Sequence, residues 1–180
     1  MRTVEPIRDS EKIEEIKRVL RRDGYRNWFL FVLGINTGMR ISDLLKLQVK
    51  HVRGKTHIKM IEQKTGKAKV FKINASLRMD IDEYIFDMEP EAFLFPSRLT
   101  DLPIKRVQAY KILNRAANKV GLDGIGTHTL RKTFGYHFYK RNKDVAMLQN
   151  IFNHSSPSVT LRYIGIAQEQ IDEVIDDFYL

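Results

Sequence analysis

Thr127-His128-Thr129-Leu130-Arg131-Lys132-Thr133 is the stretch on which the reading of this chain turns. It follows Gly124 and Gly126, which break any earlier helix, and it precedes a helical pattern that runs to about Asn142. Thr127 is a good N-cap, so the spacing predicts His128 and Arg131 in the first turn, three apart on one face. A helix N-terminus carries partial positive charge and free backbone N–H groups, which suit a bound phosphate. A guanidinium and an imidazole placed there make a compact anion cradle. Taken alone, the stretch reads equally well as an ordinary surface helix start.

The composition around it favours the cradle. The chain has 180 residues, enough for one domain with its own core, and its 43% hydrophobic and 10% aromatic content is ordinary for a globular protein. It contains no cysteine, which excludes disulfides and thiolate metal sites and agrees with a reducing cytoplasm. The longest apolar stretch, Trp28 to Ile35, is too short for a transmembrane helix. A net charge of +9 points to a polyanionic partner, nucleic acid before an anionic membrane surface.

Along the chain, residues 1–8 form an unpatterned arm. Asp9 or Ser10 caps a first helix whose Ile13, Ile16, Val19 and Leu20 keep helical spacing until Gly24. A second helix, Arg26 to Asn36, is nearly all apolar and is expected at the centre of the core. Thr37-Gly38 stops it, and a short helix restarts over Ile41 to Leu47. The period then changes. Gln48 to Val52, Thr56 to Gln63 and Ala68 to Ile73 read as three strands of a small antiparallel sheet, with basic turns at Arg53-Gly54-Lys55 and Lys64-Thr65-Gly66-Lys67. Ser76 is expected to cap a helix to about Met88, and Phe93 to Ser97 a buried extended segment. After Leu102-Pro103 a long helix to Val120 has an expected apolar stripe of Val107, Tyr110, Leu113, Ala117 and Val120, and a basic one of Lys111, Arg115 and Lys119. A helix from Asp144 to Phe152, a short one from Pro157 and a last one over Ala167 to Tyr179 complete the chain. The expected fold class is α+β, mainly α-helical, in one domain spanning 1–180.

Four further residues stand with His128 and Arg131. Arg40 lies in Thr37-Gly38-Met39-Arg40-Ile41-Ser42-Asp43-Leu44, Lys64 on a hairpin tip, His154 in Ile151-Phe152-Asn153-His154, and Tyr163 nine residues later in Thr160-Leu161-Arg162-Tyr163-Ile164-Gly165. In order and wording these motifs resemble the catalytic domain of the tyrosine recombinase, or phage-integrase, family. That family's pattern is T-G-x-R, a hairpin lysine, H-x-x-R, a histidine or tryptophan, and a tyrosine about nine residues on. Each motif alone is common; all six in order are specific, and the resemblance covers essentially the whole chain.

The resemblance implies a DNA strand-transfer enzyme that needs neither metal nor cofactor. Arg40 and Arg131 would bind the non-bridging oxygens of the scissile phosphate, with His128 and His154 as further donors and His128 also able to take a proton. Lys64 would protonate the leaving 5′-oxygen, Lys67 and Lys69 being the alternatives in the same turn. Tyr163 would be the nucleophile, activated by neighbouring positive charge because a phenol titrates near pH 10. Asp43 would orient Arg40 in a place where the family often has glutamate. Lys67, Lys111, Arg115 and Lys132 are the candidate DNA contacts.

Other aromatic and histidine positions read as structural: Tyr136 and Tyr139 as core, His137 as packing, and His51 and His57 as residues of the strand region without a motif. Members of the family usually carry an N-terminal domain that clamps the far side of the duplex. Here the catalytic pattern begins almost at residue 1, which fits either a fragment or a natural short form. The segment 166–180 is amphipathic: Ile171, Val174, Ile175 and Phe178 form an apolar face, while Glu169, Asp172, Glu173, Asp176 and Asp177 make the rest acidic. Such a helix packs on protein, in cis or on a neighbouring subunit, rather than on DNA. The expected partners are double-stranded DNA and further copies of the chain, a tetramer on DNA and a monomer in free solution, near the nucleoid and away from membranes. A type IB topoisomerase-like nicking and closing activity and a non-catalytic DNA-binding accessory protein are the alternatives.

Overall fold

The computed structural model describes residues 4–176 and 178–179. Helix α1 (Ser10–Asp23) starts where the Asp9 side chain accepts from the Glu11 N–H, and it buries Ile13, Ile16 and Leu20. Gly24 turns the chain into α2 (Tyr25–Thr37), whose Phe29, Leu30, Phe31, Val32 and Leu33 are all buried. The all-apolar run is therefore the central helix of the core, as its pattern predicts. Gly38 closes α2 in the left-handed region at φ 65°, and α3 (Ile41–Leu44) follows at once.

The sheet is smaller than expected. Strands β1 (His57–Ile61) and β2 (Ala68–Lys72) pair antiparallel, His57 opposite Lys72 and Ile61 opposite Ala68. The expected third strand, Gln48 to Val52, is instead a 3₁₀ turn over Val49–His51 with one isolated bridge from Gln48 to Phe93. Val49 and Val52 are both buried and lie three apart, a helical spacing that alternation in a strand would not satisfy. The turn's donors are spent elsewhere: the Gln48 N–H donates to the His51 ring, Val49 to the Ala92 carbonyl and Lys50 to that of Pro90.

Helix α4 (Ala75–Tyr84) is capped by Asn74, two residues earlier than expected, and it ends before Met88. Helix α5 (Arg106–Lys119) turns a different face inward from the one its large residues suggest. Ala109, Leu113, Ala116 and Ala117 are buried, whereas Val107 is 65% exposed and Tyr110 also faces outward. Three buried alanines let α5 lie close against α1, and that close approach outweighs the apolar area of Val107.

Helices α6 (Thr129–Asn142), α7 (Val145–Phe152), α8 (Pro157–Tyr163) and α9 (Ile166–Asp176) complete the described chain. Pro157 opens α8 and the Ser156 side chain caps it, as read. The core is divided in two. A large cluster gathers α1 to α5 with Leu130, and a small one gathers Tyr136, Leu148, Phe152, Ile164 and Ile166, with Tyr139 and Tyr163 packed against it. Helix α6 serves both. The arm is pinned along it: the Ile7 N–H donates to the Thr133 hydroxyl at 2.9 Å, and the His137 ring meets the Ile7 carbonyl at 2.9 Å. The first three residues of the expected arm lie outside the described residues, as does Asp177 of the expected acidic face. The apolar face of α9 stays uncovered among the described residues, with Val174 72% and Ile175 59% exposed. No helix among the described residues is long and apolar enough to cross a membrane.

Candidate active site

The six signature residues converge where the two clusters meet. Helix α6 begins one residue later than the N-cap rule predicts: His128, not Thr127, holds the capping position, and it makes no side-chain cap bond. Thr127 is unavailable because its hydroxyl accepts from the Arg106 guanidinium at 3.4 Å, and the Thr129 hydroxyl takes the Gly126 N–H instead. Arg131 still falls in the first turn. It is 3% exposed, with Nη1 donating to the Gly38 carbonyl at 2.7 Å and Nη2 to the Phe152 carbonyl at 2.9 Å. The first carbonyl belongs to the large cluster's helix end and the second to the small cluster, so one side chain bolts the two halves together. Its guanidinium also lies 4.1 Å from the Phe152 ring centroid. Burial pulls Arg131 down to about 10, with Tyr163 acting the other way, and it remains charged at neutral pH.

Arg40 occupies the N-cap of α3, in extended backbone that aims its side chain across the hairpin. Its Nη1 pairs with the buried carboxylate of Glu62. The sequence points to Asp43 for that part; the direct partner of Arg40 is Glu62, and Asp43 bears on Arg40 through charge. Asp43 is equally buried, but its Oδ1 accepts the Gln63 N–H at 3.1 Å, so it fixes the hairpin strand. Burial holds the Asp43 carboxyl above its ordinary range, against the pull of the Gln63 bond and of the arginines. Glu62 is also buried, but bonds from Arg40 and Thr65 overcome that penalty and hold its carboxyl below the ordinary range.

Of the hairpin lysines, Lys67 reaches Asn153 Oδ1 at 3.3 Å, and Lys69 caps the end of α7 at the carbonyls of Asn150 and Ile151. Lys64 is exposed, and among the described residues no hydrogen bond or ion pair engages it. Its charge bears on His128 together with those of Arg106, Arg131 and Lys132.

His154 follows Asn153, which ends α7 in the left-handed region at φ 55°. Its Nδ1 lies 3.1 Å from the Thr160 hydroxyl, which itself donates to the Ser156 carbonyl. With that proton committed, Nδ1 is the donor to Thr160, and Nε2 is left facing the site. Burial, then Arg131 and Arg40, press His154 down to about 4. Its ring meets Tyr163 edge-on at 5.0 Å between centroids.

Tyr163 ends α8, and its hydroxyl stands 3.5 Å from His128 Nδ1. His128 titrates below its ordinary range through burial and the surrounding cations, so at neutral pH it is a free base beside the phenol. Lys132 is half-buried, its ammonium 5.2 Å from the Tyr163 ring. Lys111 and Arg115 are exposed on α5, away from this cluster's bonds, while Lys119 of the same stripe is paired with Asp23 at 3.1 Å. Tyr136 is buried in the small cluster, the His137 ring meets the Ile7 carbonyl, the His51 ring accepts the Gln48 N–H, and the His57 ring lies beside the Thr56 hydroxyl. Sequence reasoning missed Glu62, Arg106 and Thr160. A Glu two residues before the hairpin lysine and a threonine six after His154 carry no motif; only the fold brings them in. Among the described residues no three His, Asp or Glu side chains are gathered closely enough to hold a metal ion.

A family model described as the phage integrase family matches residues 8–170. The chain is 54% identical over 169 residues to the probable integrase/recombinase YoeC of Bacillus subtilis (strain 168), covering 94% of this chain and 93% of that protein. It is 24% identical to the tyrosine recombinase XerA of Pyrococcus horikoshii over 91% of this chain, and it spans only 59% of XerA's length. Its fold is similar to that of the XerH site-specific recombinase bound to a palindromic difH substrate in a post-cleavage complex. The TM-score is 0.72 at 19% identity, over 98% of this chain and 53% of that one. At that identity the structural likeness carries the fold alone.

Proposed function

The chain belongs to the phage integrase family, as a DNA recombinase catalytic domain, and we propose that it cleaves and rejoins double-stranded DNA through a phosphotyrosine on Tyr163. The observation that carries this reading is the contact between the Tyr163 hydroxyl and a neutral His128, with two arginines alongside. In the forward step the Tyr163 oxygen attacks the scissile phosphorus while its proton passes to His128 Nδ1. The bond from phosphorus to the 5′-oxygen breaks, and Lys64 supplies the proton that this oxygen needs. The product is a 3′-phosphotyrosyl bond and a free 5′-hydroxyl. A 5′-hydroxyl from a second strand reverses the step, so the bond energy is kept.

Arg40 and Arg131 stabilise the charge that grows on the non-bridging oxygens, the largest catalytic lever available to such a site. The carbonyls of Gly38 and Phe152 fix the Arg131 fork before DNA arrives, so its remaining donors need no reorganisation. His154 Nε2 joins as a donor once a bound phosphate draws a proton onto it, reversing the effect of the arginines. Lys67, Lys132, Lys111 and Arg115 hold flanking phosphates. The enzyme works on DNA in the cytoplasm, at the nucleoid, and its site-specific partner sequence is read elsewhere than in this phosphate clamp. Several copies assemble on the DNA, with the exposed face of α9 covered by a neighbour.

Nicked suicide DNA traps the intermediate, because the released fragment diffuses away and religation fails. Wild-type protein should give a covalent protein–DNA band on a denaturing gel, and Tyr163→Phe should give none. An undiminished band from Tyr163→Phe would remove Tyr163 as nucleophile. Relaxation of supercoiled plasmid without recombinant products would favour nicking and closing over recombination.

A further inference from the structure

Glu62 belongs to no signature motif, yet it is 1% exposed and sits directly beside the proposed phosphate clamp. A carboxylate taken out of water needs partners, and each of its oxygens has one. Oε1 pairs with Arg40, and Oε2 accepts the Thr65 hydroxyl at 2.9 Å. The same residue closes the neck of the hairpin through its backbone: its N–H donates to the Lys67 carbonyl at 3.0 Å, and its carbonyl accepts the Gly66 N–H at 2.9 Å. Lys64 and Thr65 therefore lie inside a loop whose base is Glu62. Next to it, the Gln63 N–H is held by Asp43 from the Arg40 side, while Lys67 and Lys69 moor the other limb on the end of α7. The backbone around Lys64 is held on both sides, and among the described residues no bond engages the Lys64 side chain.

We propose that Glu62 is a positioning residue for strand cleavage, locking the Arg40 guanidinium and the Lys64 loop into one unit. Arg40 addresses the non-bridging oxygens and Lys64 the leaving 5′-oxygen of the same phosphate. Their separation must be set before reaction, since a small misplacement of either donor costs rate. A carboxylate suits the task better than an apolar side chain. Its ion pair with Nη1 anchors one corner of the Arg40 guanidinium and leaves the other donors for the phosphate. This inference rests on the strand-transfer reading above.

The test is a double-mutant cycle on single-turnover cleavage of the nicked DNA. Glu62→Gln keeps the shape and removes the charge. It should slow cleavage by about tenfold, the size of coupling expected of a contacting pair, while DNA affinity stays within about twofold. In an Arg40→Ala background, and again in a Lys64→Ala background, the same substitution should cost less than about twofold. If the same fold-loss recurs in both backgrounds, Glu62 is merely structural and the proposal is overturned. Unchanged cleavage by Glu62→Gln overturns it too. Glu62→Asp, which keeps the charge and shortens the reach by one methylene, carries the same cycle should the Gln variant not fold. Failure of the wild type to form any adduct overturns the strand-transfer reading and this inference with it. A wild-type adduct with an unaffected Glu62 variant overturns this inference alone.

Discussion

In the DNA-free protein, burial holds the Tyr163 phenol above its ordinary range even though Arg131 and Arg40 pull it down. The proposed nucleophile therefore keeps its proton until a base takes it, and His128 Nδ1 stands 3.5 Å away. The histidines also make the protein's stability depend on pH. His154 has a folded-state value of about 4 against an ordinary 6.5, so between these values the unfolded chain binds a proton that the folded one refuses. Stability therefore rises with pH through that window and is lost as pH falls from 6.5 toward 4. His128 is shifted in the same direction. Urea unfolding of the DNA-free protein at a series of pH values should show the slope, and His154→Asn should flatten it. A slope that survives His154→Asn unchanged would assign the effect to other groups.

At the scale of elements, the seam between α6 and the α7–α8 pair decides where Tyr163 points. Gly135, inside α6, leaves room for Phe152 and Ile164, both fully buried; a Cβ there would stand 2.7 Å from each. Alanine is otherwise the better helix former by about 1 kcal/mol, but forcing a methyl into a packed seam costs about 1–3 kcal/mol. The second term wins because both neighbours are interior side chains with nowhere to swing. Gly135→Ala should lower the unfolding free energy by about 1–2 kcal/mol and reduce cleavage through a displaced α8. A neutral or stabilising effect in denaturant titration would show that the seam can relax. This glycine looked unremarkable in sequence, a small residue within a helical pattern, because the atoms that need its space come from positions 152 and 164. The third-strand expectation failed for a related reason. A five-residue segment with two valines has no period long enough to separate a strand from a turn, and contacts with residues 90–94 settled it.

At the scale of the molecule, the charge of +9 is not spread evenly in its consequences. Lys119 is spent on Asp23, and Lys69 on the end of α7, whereas Lys111 and Arg115 stand exposed on α5. If these two meet phosphates, each alanine substitution should reduce the slope of log affinity against log salt by about one. Binding isotherms across a salt series measure it, and an unchanged slope would remove that residue from the interface. Helix α9 adds a second property of the whole. Its base is moored in cis by Ile166 and by the Lys140–Glu169 pair at 2.6 Å, while Ile171, Val174 and Ile175 remain exposed. Ile171→Ser with Ile175→Ser should therefore leave the thermal stability of the free chain nearly unchanged and reduce the multi-copy complexes seen on DNA by sedimentation. Equal assembly by the variant would show that another surface joins the copies.

The sequence by itself determined the helical core around α2, the hairpin, and six residues whose order and spacing match the family's pattern. These were legible because each is a local property: a period, a turn or cap residue, or a motif read along the chain. Only the tertiary structure decided that Glu62 rather than Asp43 meets Arg40 and that Lys64 alone of three lysines is left unengaged. It also decided that His128 caps α6, and that α5 buries its alanines and exposes Val107. Each of these depends on which distant group claims a side chain or a backbone donor, and such competition between residues far apart in sequence leaves no trace in spacing.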